Sequence, residues 1–261
     1  MLKYVLIAAA ATGVALTVAS ALTAEDWRTA SREPVGLAPA PGETPEAVVQ
    51  VYAARAVRWR GYFGVHTWIA AKPPRAEAYT VYEVNGWRLR RSGSAVVASS
   101  RPPDGRWFGN APTVIAELRG APAERVLDRL DAAVARYPYP DRYRVWPGPN
   151  SNTFTAHVLR ELPELAADLP PTAIGKDFIG TRLTALAPSG TGYQLSLMGA
   201  AGILAAVQEG IELNVLGLTF GIDALTPALK LPMVGRVGAL PVLGIALLAT
   251  ALLRLARRYA R

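Results

Sequence analysis

Two short segments hold residue types that could act on a substrate together. Gly64-Val65-His66-Thr67-Trp68 sets one of the chain's two imidazoles inside an apolar run, and Pro149-Asn150-Ser151-Asn152-Thr153-Phe154 sets a hydroxyl where a helical pattern begins. A helix N-terminus offers unpaired N–H groups and positive potential, which stabilise an alkoxide or a tetrahedral oxyanion. A serine hydroxyl needs a base, so Ser151 as nucleophile requires His66 within about 3 Å as general base. Plainer readings stand beside this one. Asn150 and Ser151 are N-cap residue types, and a lone histidine on an apolar strand is commonly a satisfied core residue. His157 reads as structural, Glu83 as a paired or surface carboxylate, and Glu209 and Glu212, set in a glycine-rich apolar run, as packed polar contacts.

Composition narrows the chemistry. The chain of 261 residues has no cysteine, which removes disulfides, a thiol nucleophile and cysteine metal sites, and two histidines exclude a histidine-rich metal centre. No cofactor motif is present. The sequence is 51% hydrophobic and only 18% charged, against about 25% charged for an average soluble chain. The net charge of +8 includes four arginines among the last eight residues, directly after an apolar run. No nucleic-acid module is visible, so anionic lipid is the better partner for that charge.

Membrane contact is therefore expected at the ends. Residues 1–24 include an uncharged stretch from Tyr4 onward that is long enough to span a bilayer. It reads as an anchor or, with Ala19 and Ala21 flanking Ser20, as a signal peptide. Residues 237–256 are apolar apart from Arg254 and read as a transmembrane helix, with 257–261 as a basic cytoplasmic tail. The main domain is then periplasmic or otherwise extracytoplasmic, on the cytoplasmic membrane.

Between the ends, proline-rich residues 25–47 read as a linker and 48–235 as one α+β domain. Alternation from Trp59 predicts a strand buried on both faces. Residues 78–87 predict a second strand closed by an Asn85-Gly86 turn, with further strands at 87–91, 94–98, 113–119 and 143–146. Helical spacing appears over 123–136, and a helix is expected from Ser151 to Asp168. The run from 192 to 232 fits either strands packed on the domain or a segment dipping into the membrane interface, because its scattered polar residues argue against a plain span.

The order of strand histidine, second strand, then Asn-nucleophile-x-x-Phe at a helix start resembles the permuted papain-like hydrolases and acyltransferases, the lecithin–retinol acyltransferase group above all. His66 with Trp68 matches that group's His-Trp strand, and Asn150-Ser151-Asn152-Thr153-Phe154 matches its Asn-Cys-Glu-His-Phe motif, so the nucleophilic cysteine falls on Ser151. The third polar residue falls near Tyr82 or Glu83. The arrangement is also similar to a membrane-anchored bacterial lipoprotein N-acyltransferase group. Most of the chain resembles an uncharacterised bacterial family whose hallmark is the Pro-Asn-Ser-Asn-Thr-Phe run. The resemblance implies an antiparallel papain-like sheet, with the motif helix packed on it and terminal membrane helices flanking it. It implies acyl transfer or hydrolysis on a lipid-linked or peptidyl substrate: Ser151 and His66 catalytic, Asn150, Asn152, Thr153 and Glu83 supporting. A thiolate is available near neutral pH and a serine alkoxide is not. The alternative function is therefore a non-catalytic membrane-anchored protein that binds lipid or peptide in the same cleft.

Overall fold

The computed structural model describes residues 28–238. The expected N-terminal anchor or signal peptide, the basic tail, and all but the first two residues of the expected C-terminal span lie outside them. Among the described residues no helix is long and apolar enough to cross a membrane.

In chain order the first half contains β1 (Val48–Arg55), the single-turn helix α1 (Arg60–Phe63), β2 (Val65–Lys72), β3 (Thr80–Val84), α2 (Gly86–Ser92), β4 (Val96–Ser100), β5 (Thr113–Arg119), α3 (Ala121–Ala135) and α4 (Ser151–Glu161). The strands form one antiparallel sheet in the order β4-β3-β2-β1-β5. β1 and β2 pair over their full length, from Val48 opposite Lys72 to Arg55 opposite Val65.

Side chains alternate across a strand, and here both faces are covered. One face carries Val49, Val51, Ile69, Ala71 and Val84 under α3 and α4. The other carries Val48, Tyr52, Trp68, Ala70 and Val81 under Tyr79, Trp107 and Phe108. α3 buries Ala123, Val126, Leu130 and Ala133, an apolar stripe at helical spacing. α4 buries Phe154, Ala156, Val158 and Leu159.

The second half is a meander: β6 (Thr184–Leu186), β7 (Gly192–Leu197), β8 (Ala201–Ala206), β9 (Gly210–Val215), β10 (Leu218–Asp223), β11 (Ala228–Leu231) and β12 (Gly235–Gly238). They form a seven-stranded antiparallel sheet in sequence order. Its alternation is inverted. Gln194, Ser196, Glu212, Asn214, Thr219 and Lys230 are buried, while the apolar residues between them are exposed. The buried polar face meets the segment after α4. Lys176 Nζ contacts Glu212 Oε2 at 2.5 Å and donates to the Leu169 carbonyl. Lys230 Nζ reaches Glu212 Oε1 and Asp168 Oδ1, each at 2.7 Å. Asn214 Nδ2 donates to Asp177 Oδ2 at 2.7 Å.

These features correct the expected fold class. Instead of one α+β papain-like sheet with a motif helix and membrane helices, the described residues are mostly two antiparallel sheets with few helices. The strand expected at 87–91 is α2, because the Asn85 side chain accepts from Trp87 N as an N-cap and Gly93, at φ +72°, closes the C-terminus. The strand expected from Trp59 starts only at Val65, after α1. Residues 143–146 form no strand, and α4 stops at Glu161 because Pro163 follows. The C-terminal span expected from residue 237 overlaps β12 at 237–238.

The buried cations set a testable cost. Burial would raise the Glu212 carboxyl, but Lys176 and Lys230 outweigh it and hold it below the ordinary carboxylate value. Replacing Glu212 with Gln leaves two ammonium groups without their shared counter-ion. Urea unfolding near neutral pH should show a loss of about 3–5 kcal/mol.

Candidate functional site

β2 decides where the candidate residues go. His66 shares a face with Trp68 and Ala70, and Thr67 shares the opposite face with Ile69 and Ala71. The Thr67 hydroxyl lies against the start of α4, 3.0 Å from Asn152 Oδ1, 2.9 Å from Thr155 Oγ1 and 3.4 Å from the Ser151 carbonyl. Thr67, not His66, therefore meets the motif helix.

His66 is 6% exposed and sits in a cluster of its own. Its Nε2 lies 2.7 Å from Glu83 Oε2, and its ring stacks on Trp107 with centroids 3.7 Å apart and planes 8° from parallel. Arg101 Nη2 is 3.6 Å from the same Glu83 oxygen, and its guanidinium stands over Trp68 at 5.3 Å. Burial would raise the Glu83 carboxyl, but the hydrogen bond and charge of His66, with Arg101 and Arg32, hold it below the ordinary value. An ionised carboxylate only accepts, so Nε2 carries a proton and donates it to Glu83. Nδ1 has no hydrogen-bond partner among the described residues. The buried Arg101 Nη2 makes no hydrogen bond either. Trp87, 57% exposed, lies 6.5 Å from Trp107 and borders the cluster on the solvent side. The site thus pairs an oriented imidazole with a cation inside an aromatic wall.

The Asn150–Thr153 turn is a complete capping box. Asn150 Oδ1 accepts from Asn152 N at 2.9 Å and Thr153 N at 3.1 Å, and Thr153 Oγ1 accepts from Asn150 N at 3.1 Å. Asn150 Nδ2 donates to the Val145 and Ile174 carbonyls, and Asn152 Nδ2 to those of Val65 and Ile174. Gly175, at φ +94°, passes so close that a Cβ there would collide with the Asn150 amide. Phe154 N bonds the Asn150 carbonyl. The N–H groups of residues 152–154 are therefore already occupied. Ser151 is buried, with a hydroxyl that makes no hydrogen bond among the described residues.

Of the residues predicted as a site, Asn150, Ser151, Asn152 and Thr153 cluster at one helix start, while His66 and Glu83 pair on the far face of the sheet. His157 packs against Tyr137, with Nε2 buried and without a hydrogen-bond partner among the described residues; burial lowers its basicity. Glu212 takes the packed polar role described above, and Glu209 accepts from the Ser189 hydroxyl and backbone N–H. Sequence reasoning missed Arg101 and Trp107. Both lie in a loop-rich stretch between β4 and β5, where no periodicity points at the sheet. Among the described residues no group of three or more His, Cys, Asp or Glu side chains is placed to hold a metal.

Two outcomes check this geometry. A carboxyl held low by folding stabilises the fold above the ordinary carboxylate range, and that contribution is lost as pH falls through its folded value. Glu83→Gln should therefore be less stable than wild type near pH 7, and the gap should close as pH falls below the ordinary carboxylate range in urea titrations. Asn150→Asp keeps the cap acceptor but turns carboxylate oxygens toward two carbonyls. It should cost more than the ~1 kcal/mol of a lost cap, read by thermal unfolding.

No curated protein and no solved structure matches this chain. A family model described as "Protein of unknown function (DUF3750)" matches residues 46–178. The match runs from the start of β1 through the Asn150–Thr153 turn to the Lys176–Asp177 pair and ends before the second sheet. It covers just over half of the sequence, and the chain belongs to the DUF3750 family.

Proposed function

We propose that this chain is a non-catalytic, membrane-associated protein of the cell envelope, on the extracytoplasmic side, that binds lipid. The reading rests on one observation: β2 turns the His66 ring away from α4, so the base and the Ser151 hydroxyl work on opposite faces of a sheet. General-base activation needs hydrogen-bond reach, and the N–H groups of Asn152 and Thr153 are already spent on Asn150. Both facts favour binding over acyl transfer. The apolar stretches at the two ends of the sequence support the location.

The ligand's polar end would be met by the cluster around His66. Nδ1 offers the ring's second nitrogen to a hydroxyl, Arg101 attracts an anion, and Trp107 and Trp87 supply apolar walls. A glycerol-phosphate headgroup offers both functions, and phosphatidylglycerol is the simplest lipid that carries it. Titrating the full chain with short-chain phosphatidylglycerol should change tryptophan fluorescence saturably, because Trp107 stacks on the imidazole. Arg101→Ala should weaken that response roughly tenfold or more, the worth of a hydrogen bond to a charged group. A serine-directed fluorophosphonate should label wild type and Ser151→Ala equally. Labelling of wild type that disappears in Ser151→Ala would restore the acyltransferase or hydrolase reading.

A further inference from the structure

The seven-stranded sheet presents an outer face with the composition of a protein interior. Its register lines up Leu195, Ile203, Leu213 and Phe220 as directly paired neighbours on four successive strands. All four are exposed, and Ile211 and Ile222 in the next row are 65% and 62% exposed. Followed across all seven strands, that face holds no Asp, Glu, Lys or Arg, since every charged residue of the strands has the opposite parity. Seven strands of three to six residues, about 4.8 Å apart and rising about 3.3 Å per residue, make a patch of roughly 500 Å². That lies in the upper part of the range for the largest patch on a typical monomer, where a partner is expected.

We infer that this face lies against the acyl chains of a bilayer leaflet. Three features select lipid as the occupant. First, protein interfaces carry about one hydrogen bond per 100–200 Å², and the side chains of this face offer only the Thr184 and Tyr193 hydroxyls, both near the β6 edge. It suits a partner that asks for no register. Second, every inner strand of the sheet is paired on both sides, so unpaired backbone groups are confined to the outer sides of β6 and β12 and the middle of the face asks for no hydrogen bond. Third, β12 ends at Gly238, and the sequence continues without a linker into the apolar run 239–256 and the arginines that follow. The sheet edge is thus joined directly to the most lipid-like stretch of the sequence. Exposed Met198, Leu216 and Met233 in the turns at one end of the sheet extend the apolar surface.

The inference is independent of the His66 site and is tested on other residues. The chain has no cysteine, so a single introduced thiol can be labelled alone. Ile203→Cys and Leu213→Cys sit on the face, where exposure makes the change mild, and Asp128→Cys on the exposed side of α3 serves as control. Each full-length variant, tagged with a nitrobenzoxadiazole fluorophore, is reconstituted into phosphatidylcholine–phosphatidylglycerol vesicles. Both face positions should emit at shorter wavelength and be quenched several-fold by doxyl groups on the acyl chains, while the Asp128 position is quenched only by aqueous iodide. Iodide quenching of the face positions without doxyl quenching would overturn the inference. So would shielding from both quenchers, which would mean that protein covers the face. Relief of self-quenching on dilution with unlabelled protein would then identify a second copy, and no relief a segment of this chain.

Discussion

Residues 66 and 67 are one peptide bond apart, and an extended backbone must send their side chains to opposite sides of the sheet. Most of what this protein can do follows from that constraint. Because β2 is buried on both faces, the imidazole has no freedom to swing round toward α4. It is held by Glu83 and pressed on Trp107. The same parity hands the contact with the motif helix to Thr67, a residue that can hold a helix in place but cannot accept a proton from serine near neutral pH. The Asn-Ser-Asn-Thr turn becomes a packing device. Its two asparagines tie four backbone carbonyl contacts and two amides into a knot joining α4, β2 and the 172–176 segment.

The second sheet inverts the usual arrangement for a related reason. Its inward side chains meet Asp168, Lys176 and Asp177, so the strands that cover them must carry complementary polar groups. Lys176 and Lys230 share Glu212 between them, and Asn214 takes up Asp177, whose carboxyl is raised by burial. A charged seam of this kind contributes little net stability compared with an apolar core. What it does supply is register. A one-residue slip would put Glu212 and Lys230 on the outside and drive isoleucine into the seam.

The sequence was legible where one period dominated. Residues 113–119 read as a strand and form β5 over those residues, and the stripe Val126–Leu130–Ala133 placed α3 within two residues at either end. Two-sided burial of β2 was visible in the apolar character of both parities. The meander was harder, because exposed apolar and buried polar residues defeat the rule that alternation points the apolar side inward. Its glycines and carboxylates then looked like interruptions of an apolar run. The candidate site was legible as residues and not as geometry. Two motifs can share a spacing with a known constellation while a single residue of phase sends the base to the other side of a sheet. Asn85-Gly86 shows the same ambiguity locally, since asparagine before glycine suits a hairpin and also caps a helix.

The inverted sheet also carries a consequence for the order of assembly. Every pairing in the meander is between strands adjacent in sequence, so its hairpins are individually quick to close. Yet the side of it that faces the protein is polar and cannot drive collapse. It gains its partners only when Lys176, Asp177 and Asp168 already stand in place on the completed first sheet and α4. Those partners lie in residues 168–177, ahead of the meander in the chain, so synthesis delivers them before the strands that cover them.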